Sequence, residues 1–171
     1  MPLPMRAAYI EGGAVPPIKH CVLASGTPTQ GAIMKFSSNN TIVEITGPTD
    51  ISGTILGVAK AGSQSAFGFD MGDAAGAVVT GRADTIPLDL AESDVVFVGQ
   101  ISSAANTLVV PAASDVGVAY GVIKNSDGTW TVNRANTTNL TVRVLDFRLP
   151  SEQVSDPFGL VFFKFITAAT V

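Results

Sequence analysis

The 171-residue chain has the length of a single domain, and its composition excludes several classes of protein. Hydrophobic residues make up 46% of the chain and charged residues only 14%, against about 25% charged in an average domain. The formal net charge is −4 and no lysine or arginine cluster occurs. We therefore expect no nucleic-acid partner, because binding to a phosphate backbone requires such a cluster.

Three further features of the sequence concern the cellular location of the protein. A single cysteine, Cys21, cannot form a disulfide within the chain. No run of 18 apolar residues is present, so we expect no membrane span. Residues 1–24 have one early cation, Arg6, and their apolar positions are interrupted by glycine and proline, which is not typical of a signal peptide.

Residues 1–19 contain four prolines and a Gly-Gly pair, which predict an extended N-terminal arm beside a single β domain over 20–171. The arm has apolar side chains to bury, and we predict that they contact a neighbouring subunit. These predicted contact residues are Leu3, Met5, Tyr9 and Ile10.

Short strands separated by turn residues are predicted in the first half of the domain. They cover 20–24, 32–36, 41–46 and 55–59, the second and third forming a hairpin. Residues 60–81 are rich in Gly, Ala and Ser, which predicts a loop with a short strand over 77–80.

The stretch 83–101 carries the clearest strand pattern. Ile86, Leu88 and Leu90 alternate with polar residues, as in a half-buried strand. Pro87 lacks a backbone N–H and predicts that this strand lies at a sheet edge or a bulge. After a polar turn, residues 95–101 are apolar on both faces, which predicts a strand covered on both sides.

The second half of the chain continues this pattern, with strands predicted over 107–110, 116–124, 129–133 and 140–147. An Asp-Gly pair within 125–128 predicts a hairpin turn. The last strand, 160–166, is apolar on both faces apart from Lys164, so it should be central or covered by another chain. We predict Phe163 and Phe165 as partner contacts.

No convincing helix pattern occurs, and about a dozen short strands spaced roughly ten residues apart predict an all-β barrel or sandwich. A catalytic or metal site is not expected. His20 is the only histidine, and its neighbour Cys21 faces the other side of a strand. Gly68, Gly72 and Gly76 match neither a phosphate-binding loop nor a calcium loop.

Two alternatives of other classes remain open. An acid–base enzyme would have to use carboxylates from one strand and turn, which are Asp84, Asp89, Glu92 and Asp94. A module for carbohydrate or single-stranded nucleic acid would need an aromatic platform, for which Trp130 and Tyr120 are the evident pair. We favour neither, and we expect no enzymatic activity and no cofactor.

The order of several segments resembles the head decoration, or capsid cement, proteins of tailed bacteriophages. The similarity extends over most of 42–166. It rests on 55–59 (ILGVA), 86–90 (IPLDL), 95–100 (VVFVGQ), 142–145 (VRVL), a loop containing Asp156, and the closing strand 160–166.

The resemblance implies a compact β-barrel or β-tulip domain that assembles as a homotrimer. It also implies a location on the exterior of a capsid, where the major capsid protein is the partner and neighbouring capsomers are bridged. Another phage structural protein is the nearest alternative. On this interpretation the arm and the closing strand make the intersubunit contacts, and trivalent attachment strengthens a weak single contact.

Overall fold

A computed structural model describes residues 3–11, 13, 16–37, 41–50, 55–60, 85–150 and 158–166. The described residues form thirteen strands and one 3₁₀ turn, Ala113–Asp115, so the predicted all-β class is confirmed. The strands are β1 (Arg6–Ile10), β2 (Ile18–Val22), β3 (Ile33–Phe36), β4 (Ile42–Glu44), β5 (Ile55–Ala59), β6 (Thr85–Leu90), β7 (Val95–Gly99), β8 (Ile101–Ala104), β9 (Thr107–Val109), β10 (Ala119–Lys124), β11 (Trp130–Asn133), β12 (Val142–Arg148) and β13 (Leu160–Phe165).

The larger sheet has eight strands in the order β1-β7-β13-β12-β10-β11-β8-β9. β7 and β8 lie five positions apart, about 24 Å in a flat sheet, although only Gln100 separates them along the chain. Two peptide units span at most about 7.6 Å, so the sheet must curl strongly. Among the described residues it does not close into a barrel, because β1 and β9 remain at its edges.

The smaller sheet has five strands in the order β2-β6-β5-β3-β4. It also curls, since Leu23, just beyond β2, forms an isolated parallel bridge with Ile42 in β4 at the opposite edge. In place of the expected barrel, the described strands therefore form two curved sheets.

Local turn signals predicted two hairpins correctly. β3 pairs antiparallel with β4, and β10 pairs antiparallel with β11. In the second hairpin Gly128 has φ 87°, a left-handed conformation that glycine adopts without strain. Its N–H donates to the Asn125 carbonyl at 3.0 Å, which closes the turn.

The prediction that β6 lies at an edge or a bulge is wrong, because β6 lies between β2 and β5 and pairs with both without a shift in register. Pro87 is accommodated by its position. Its carbonyl accepts a hydrogen bond from the Lys60 N–H at 2.9 Å, one residue beyond the end of β5. The backbone N and C=O of a residue in an antiparallel strand point toward the same neighbouring strand. The N–H that Pro87 lacks would therefore point toward Lys60, beyond the last residue of β5, where the hydrogen bonds between β5 and β6 end.

The N-terminal segment is part of the sheet, so the prediction of a separate arm is wrong for residues 3–11. β1 pairs antiparallel with β7 and covers its backbone edge. Met5 is fully buried, and a Cβ at Gly99 would lie 3.0 Å from its Cγ. The segment docks because it buries a large side chain and pairs backbone groups that an edge strand would leave free.

The core lies between the sheets. In it, the Phe97 ring centroid lies 6.1 Å from that of Phe163 and 5.1 Å from that of Phe165. Trp130 is fully buried, and its Nε1 donates to Oε1 of Glu44 on the smaller sheet at 2.8 Å. This bond joins β11 to β4 and satisfies the indole donor away from water.

Candidate partner-binding surface

The structure separates the six predicted contact residues into two groups. Two are exposed by more than two fifths, and four are buried by nine tenths or more. The exposed residues are Leu3 and Tyr9, and the buried ones are Met5, Ile10, Phe163 and Phe165. The four buried side chains pack within their own chain. The partner-contact prediction therefore remains open only for Leu3 and Tyr9.

The register of β13 explains why Phe163 and Phe165 point inward. β13 lies between β7 and β12, with Phe163 opposite Phe97 and Val144. This confirms that the closing strand is central. Since side chains alternate along a strand, the opposite face receives Phe162 and Lys164, which are both only partly buried.

Phe162 and Lys164 lie on the side of the larger sheet that faces away from the core. We call this side of β1, β7, β13 and β12 the outer face. Cross-strand neighbours define it, since Arg6 is opposite Val98, Val98 is opposite Phe162 and Tyr9 is opposite Val96. Its residues are Arg6, Tyr9, Glu11, Val96, Val98, Arg143, Asp146, Arg148, Leu160, Phe162 and Lys164, of which Val96, Val98 and Leu160 are buried.

An aromatic pair stands at the centre of the outer face. The ring centroids of Tyr9 and Phe162 are 6.4 Å apart at an interplanar angle of 40°. The guanidinium carbon of Arg148 lies 5.5 Å from the Phe162 centroid, within the range of a cation–π contact. Tyr9 remains 44% exposed. An exposed aromatic flanked by arginine is typical of the residues that anchor protein interfaces.

Charges of opposite sign occupy opposite ends of β1. Arg6, at its start, is exposed and forms no ion pair with any described carboxylate. Glu11 follows its end, where Oε2 lies 2.8 Å from Lys164 Nζ. The Glu11 N–H donates to the Asp94 carbonyl at 3.0 Å, which places Asp94 beside it.

A surface with exposed aliphatic side chains lies around residues 110–118 and the end of β12. The Gly117 N–H donates to the Val144 carbonyl at 2.9 Å, on the β10 side of β12. A Cβ at Gly159 would lie 3.3 Å from Cδ of both Pro111 and Pro150, so the two proline segments adjoin. We call this surface the loop patch; its exposed side chains are Val110, Val116, Val118 and Leu149, each at least 36% exposed.

An ion pair between buried Asp115 and partly exposed Arg134 lies at the base of the loop patch. Asp115 is 1% exposed, and its Oδ1 accepts hydrogen bonds from Tyr120 Oη and Arg134 Nε, both at 2.9 Å. Its Oδ2 accepts from the Ala112 N–H at 2.8 Å. Burial raises the pKa of Asp115, but the hydrogen bonds from Arg134, Ala112 and Tyr120 outweigh burial and hold this pKa below its usual value.

The carboxylates proposed for acid–base chemistry do not converge. Glu92 and Asp94 are exposed in the turn before β7, whereas Asp89 is 3% exposed in β6. Asp89 Oδ2 accepts from the Ala7 N–H at 3.2 Å and Oδ1 lies 3.6 Å from Lys60 Nζ, so the carboxylate joins β1 to the smaller sheet. The fourth residue, Asp84, lies outside the described residues.

The aromatic platform is not assembled either, because Trp130 is fully buried and Tyr120 is 6% exposed. Cys21 is buried while His20 is exposed, as the strand alternation predicted. Burial raises the pKa of the Cys21 thiol and Lys19 lowers it by less. The glycines of 68–76, the strand predicted over 77–80 and Asp156 lie outside the described residues.

Within the part of the chain that the structure describes, no group of three or more potential metal ligands occurs. None of the described residues forms a helix that is long and apolar enough to cross a membrane.

Sequence reasoning missed Phe162, Arg148 and the loop patch. For β13, the orientation of the side chains could have been predicted from Lys164. A charged residue favours the solvent side, and positions 162 and 164 lie on the same side of a strand. No comparable signal exists for the loop patch, whose valines are scattered through a turn-rich segment.

None of the protein-family models, curated proteins or solved structures compared with the chain matches it. The assignment of function therefore depends on the surfaces described above and on the resemblance in segment order.

Proposed function

We propose that this chain is a structural protein of a virion, a capsid decoration or cement protein that binds the outside of a phage head. In this role it bridges neighbouring major capsid proteins and assembles as a homotrimer. The proposal combines the resemblance in segment order with the presence of two surfaces on one domain, one with an exposed aromatic side chain and one with exposed aliphatic side chains.

The two surfaces are the observation on which the proposal depends. The outer face is centred on Tyr9 and Phe162, and the loop patch contains Val116 and Leu149. The two surfaces adjoin at the end of β12, where Arg148 belongs to the outer face and Leu149 to the loop patch, whereas Tyr9 lies on β1 at the edge of the larger sheet. A protein that bridges others needs at least two such contact surfaces, because each must engage a different molecule.

We assign the loop patch to the capsid. Exposed apolar side chains of this kind lose contact with water when a partner covers them. The Asp115–Arg134 ion pair supports the segment, since Arg134 Nη2 also donates to the Val110 carbonyl at 3.0 Å. A supported loop loses less conformational entropy on binding than a mobile one.

The test is co-sedimentation with purified heads of the tailed phage that encodes the chain. The wild type is expected to bind saturably, and Val116→Asp with Leu149→Asp to reduce binding at least tenfold, because the aspartates would be desolvated. Thr137→Asp is the matched control, since Thr137 is exposed outside the loop patch. Wild-type protein that does not sediment with heads, or a double variant that binds like the control, would contradict the proposal.

A further inference from the structure

The turn that joins β10 to β11 contains two pairs of residues that are chemically labile, Asn125–Ser126 and Asp127–Gly128. In such a pair the backbone nitrogen of the second residue can attack the side-chain carbonyl carbon, Cγ, of the first and close a five-membered succinimide ring. A small second residue leaves this approach unhindered, and glycine, which lacks a Cβ, hinders it least. Both labile pairs thus fall within the four residues of one turn.

These reactions need no reagent other than water. At Asn125, the Ser126 nitrogen loses its proton and bonds to Cγ, the Cγ–Nδ2 bond breaks, and ammonia leaves. At Asp127, the Gly128 nitrogen bonds to Cγ in the same way, and one carboxyl oxygen leaves with two protons as water. Water then opens either ring to aspartate or to isoaspartate, whose main chain runs through Cβ and Cγ. The extra backbone atom of isoaspartate would disrupt the turn, because a hairpin turn depends on the geometry of these few residues.

The structure restrains both reacting groups of the Asp127–Gly128 pair, although Asp127 is exposed to water. Asp127 Oδ1 accepts hydrogen bonds from the N–H of Thr129 at 3.0 Å and from its hydroxyl at 2.6 Å. The Gly128 N–H donates to the Asn125 carbonyl at 3.0 Å, and the Gly128 carbonyl accepts from Thr29 Oγ1 at 3.1 Å. Attack requires the Gly128 nitrogen to give up its proton and turn toward Cγ, so the bonds that hold this N–H and the carboxylate must break first.

Asn106, in the turn between β8 and β9, restrains the other pair. Asn125 is 4% exposed, its Oδ1 accepts from the Asn106 N–H at 2.7 Å, and its Nδ2 donates to Thr129 Oγ1 at 3.1 Å. The Ser126 N–H, which belongs to the attacking nitrogen, donates to Asn106 Oδ1 at 2.8 Å. Asn106 has φ 61°, a left-handed conformation that asparagine adopts more readily than most residues. In this conformation both its N–H and its side chain bind the turn.

We propose that the Thr129 hydroxyl and the Asn106 side chain protect the β10–β11 turn from succinimide formation. The hydroxyl donates to Asp127 and accepts from Asn125, so it contacts both labile side chains at once. The Asn106 side chain holds the nitrogen that would attack Asn125. This protection belongs to the folded chain itself and does not depend on binding to a capsid.

Peptide mapping by mass spectrometry, after incubation of the whole chain at pH 8, tests the proposal. Deamidation of Asn125 is detected from the change in peptide mass, and isoaspartate formed from Asp127 is detected by enzymatic methylation. In the folded wild type both reactions should be at least about tenfold slower than in the same chain unfolded in urea. This factor corresponds to the loss of a single hydrogen bond to a charged group.

Two substitutions separate the two protecting groups. Thr129→Val removes the hydroxyl and should speed isoaspartate formation at Asp127 about tenfold, whereas Thr129→Ser retains a hydroxyl and should react like the wild type. Asn106→Gly tolerates the left-handed backbone and frees the Ser126 N–H. It should therefore speed deamidation of Asn125 more than it speeds the reaction of Asp127.

Thr137→Val, at an exposed position outside the turn, is the matched control and should leave both rates unchanged. Far-UV circular dichroism and thermal melting establish that each variant is folded; if Thr129→Val is not, Asn106→Gly provides the test. Equal rates in folded and unfolded wild type, a Thr129→Val variant that reacts like the wild type, or a Thr129→Ser variant as reactive as Thr129→Val would each overturn the proposal. Unchanged deamidation of Asn125 in Asn106→Gly would also overturn it.

Discussion

Replacing Met5 by alanine tests whether the N-terminal segment is part of the folded domain. Met5 is fully buried in the core cluster, against Gly99. The change removes three heavy atoms, equivalent to about 2.4 kcal/mol of transfer free energy at about 0.8 kcal/mol per group. A residual cavity adds to this, so we expect a loss of about 3 kcal/mol, within the usual range of about 2–5 kcal/mol for Met→Ala.

Leu3 supplies a matched control in the same segment. It is 43% exposed, and only its backbone N–H makes a described hydrogen bond, to Gln100 Oε1 at 2.7 Å. Leu3→Ala should therefore lower the free energy of unfolding by no more than about 1 kcal/mol, as expected for a largely exposed site. For a chain of 171 residues, a loss of about 3 kcal/mol corresponds to a fall in Tm of about 6–12 °C.

Urea unfolding followed by circular dichroism measures both free energies, and differential scanning calorimetry measures both melting temperatures. If Met5→Ala and Leu3→Ala lower stability by the same small amount, Met5 does not belong to the core. The segment would then be the separate arm that its prolines and glycines predicted.

Three further predictions concern the polar network, the core and a turn. Asp115→Asn should lower the free energy of unfolding by about 2–3 kcal/mol at pH 7 through loss of its charged hydrogen bonds. Because the folded pKa of Asp115 is lowered, its stabilisation is present above the unfolded pKa of about 3.9 and lost as pH falls below it. In urea titrations, Asp115→Asn should therefore lower the free energy of unfolding less at pH 3 than at pH 7. The control, Asp146→Asn at an exposed site, should change the free energy of unfolding little at pH 7. An equal loss at both pH values for Asp115→Asn would contradict the lowered pKa of Asp115. Trp130 is the single tryptophan and is fully buried, so folded protein should emit at short wavelength and resist iodide quenching; emission resembling free tryptophan would place it at the surface. Gly128→Ala should cost about 1 kcal/mol because φ is 87°, whereas Gly47→Ala, with no atom within 4 Å of the new Cβ, should cost less than half as much in the same urea titration.

Much of the strand pattern follows from neighbouring residues alone. The turn at 125–128 has an Asp-Gly pair, and its geometry depends only on those few residues, so the β10–β11 hairpin was predictable. Alternation likewise separated His20 from Cys21. Both predictions succeeded because the backbone conformation at each site is determined within a few residues of chain.

The surface residues were less predictable than the strands. β13 is apolar on both faces, so its sequence alone defined two faces without specifying which one enters the core. β12, the preceding strand, and β7, which is distant in the sequence, pair with it so that Phe163 points inward and Phe162 outward. A shift of one residue reverses every side chain of a strand, and for this reason Phe162 replaced Phe163 and Phe165 in the candidate surface.

The sequence by itself determined the all-β class, the hairpin turns and that the last strand is covered on both sides, because these depend on local conformation and on apolar periodicity. Only the tertiary structure decided that β6 is internal, that Met5 docks in the core, and that Tyr9 meets Phe162 on one face. Each of these outcomes depends on pairing between segments far apart in the chain. Such pairing is selected by the total burial and backbone hydrogen bonding of the assembled sheets, and no short stretch of sequence contains that information.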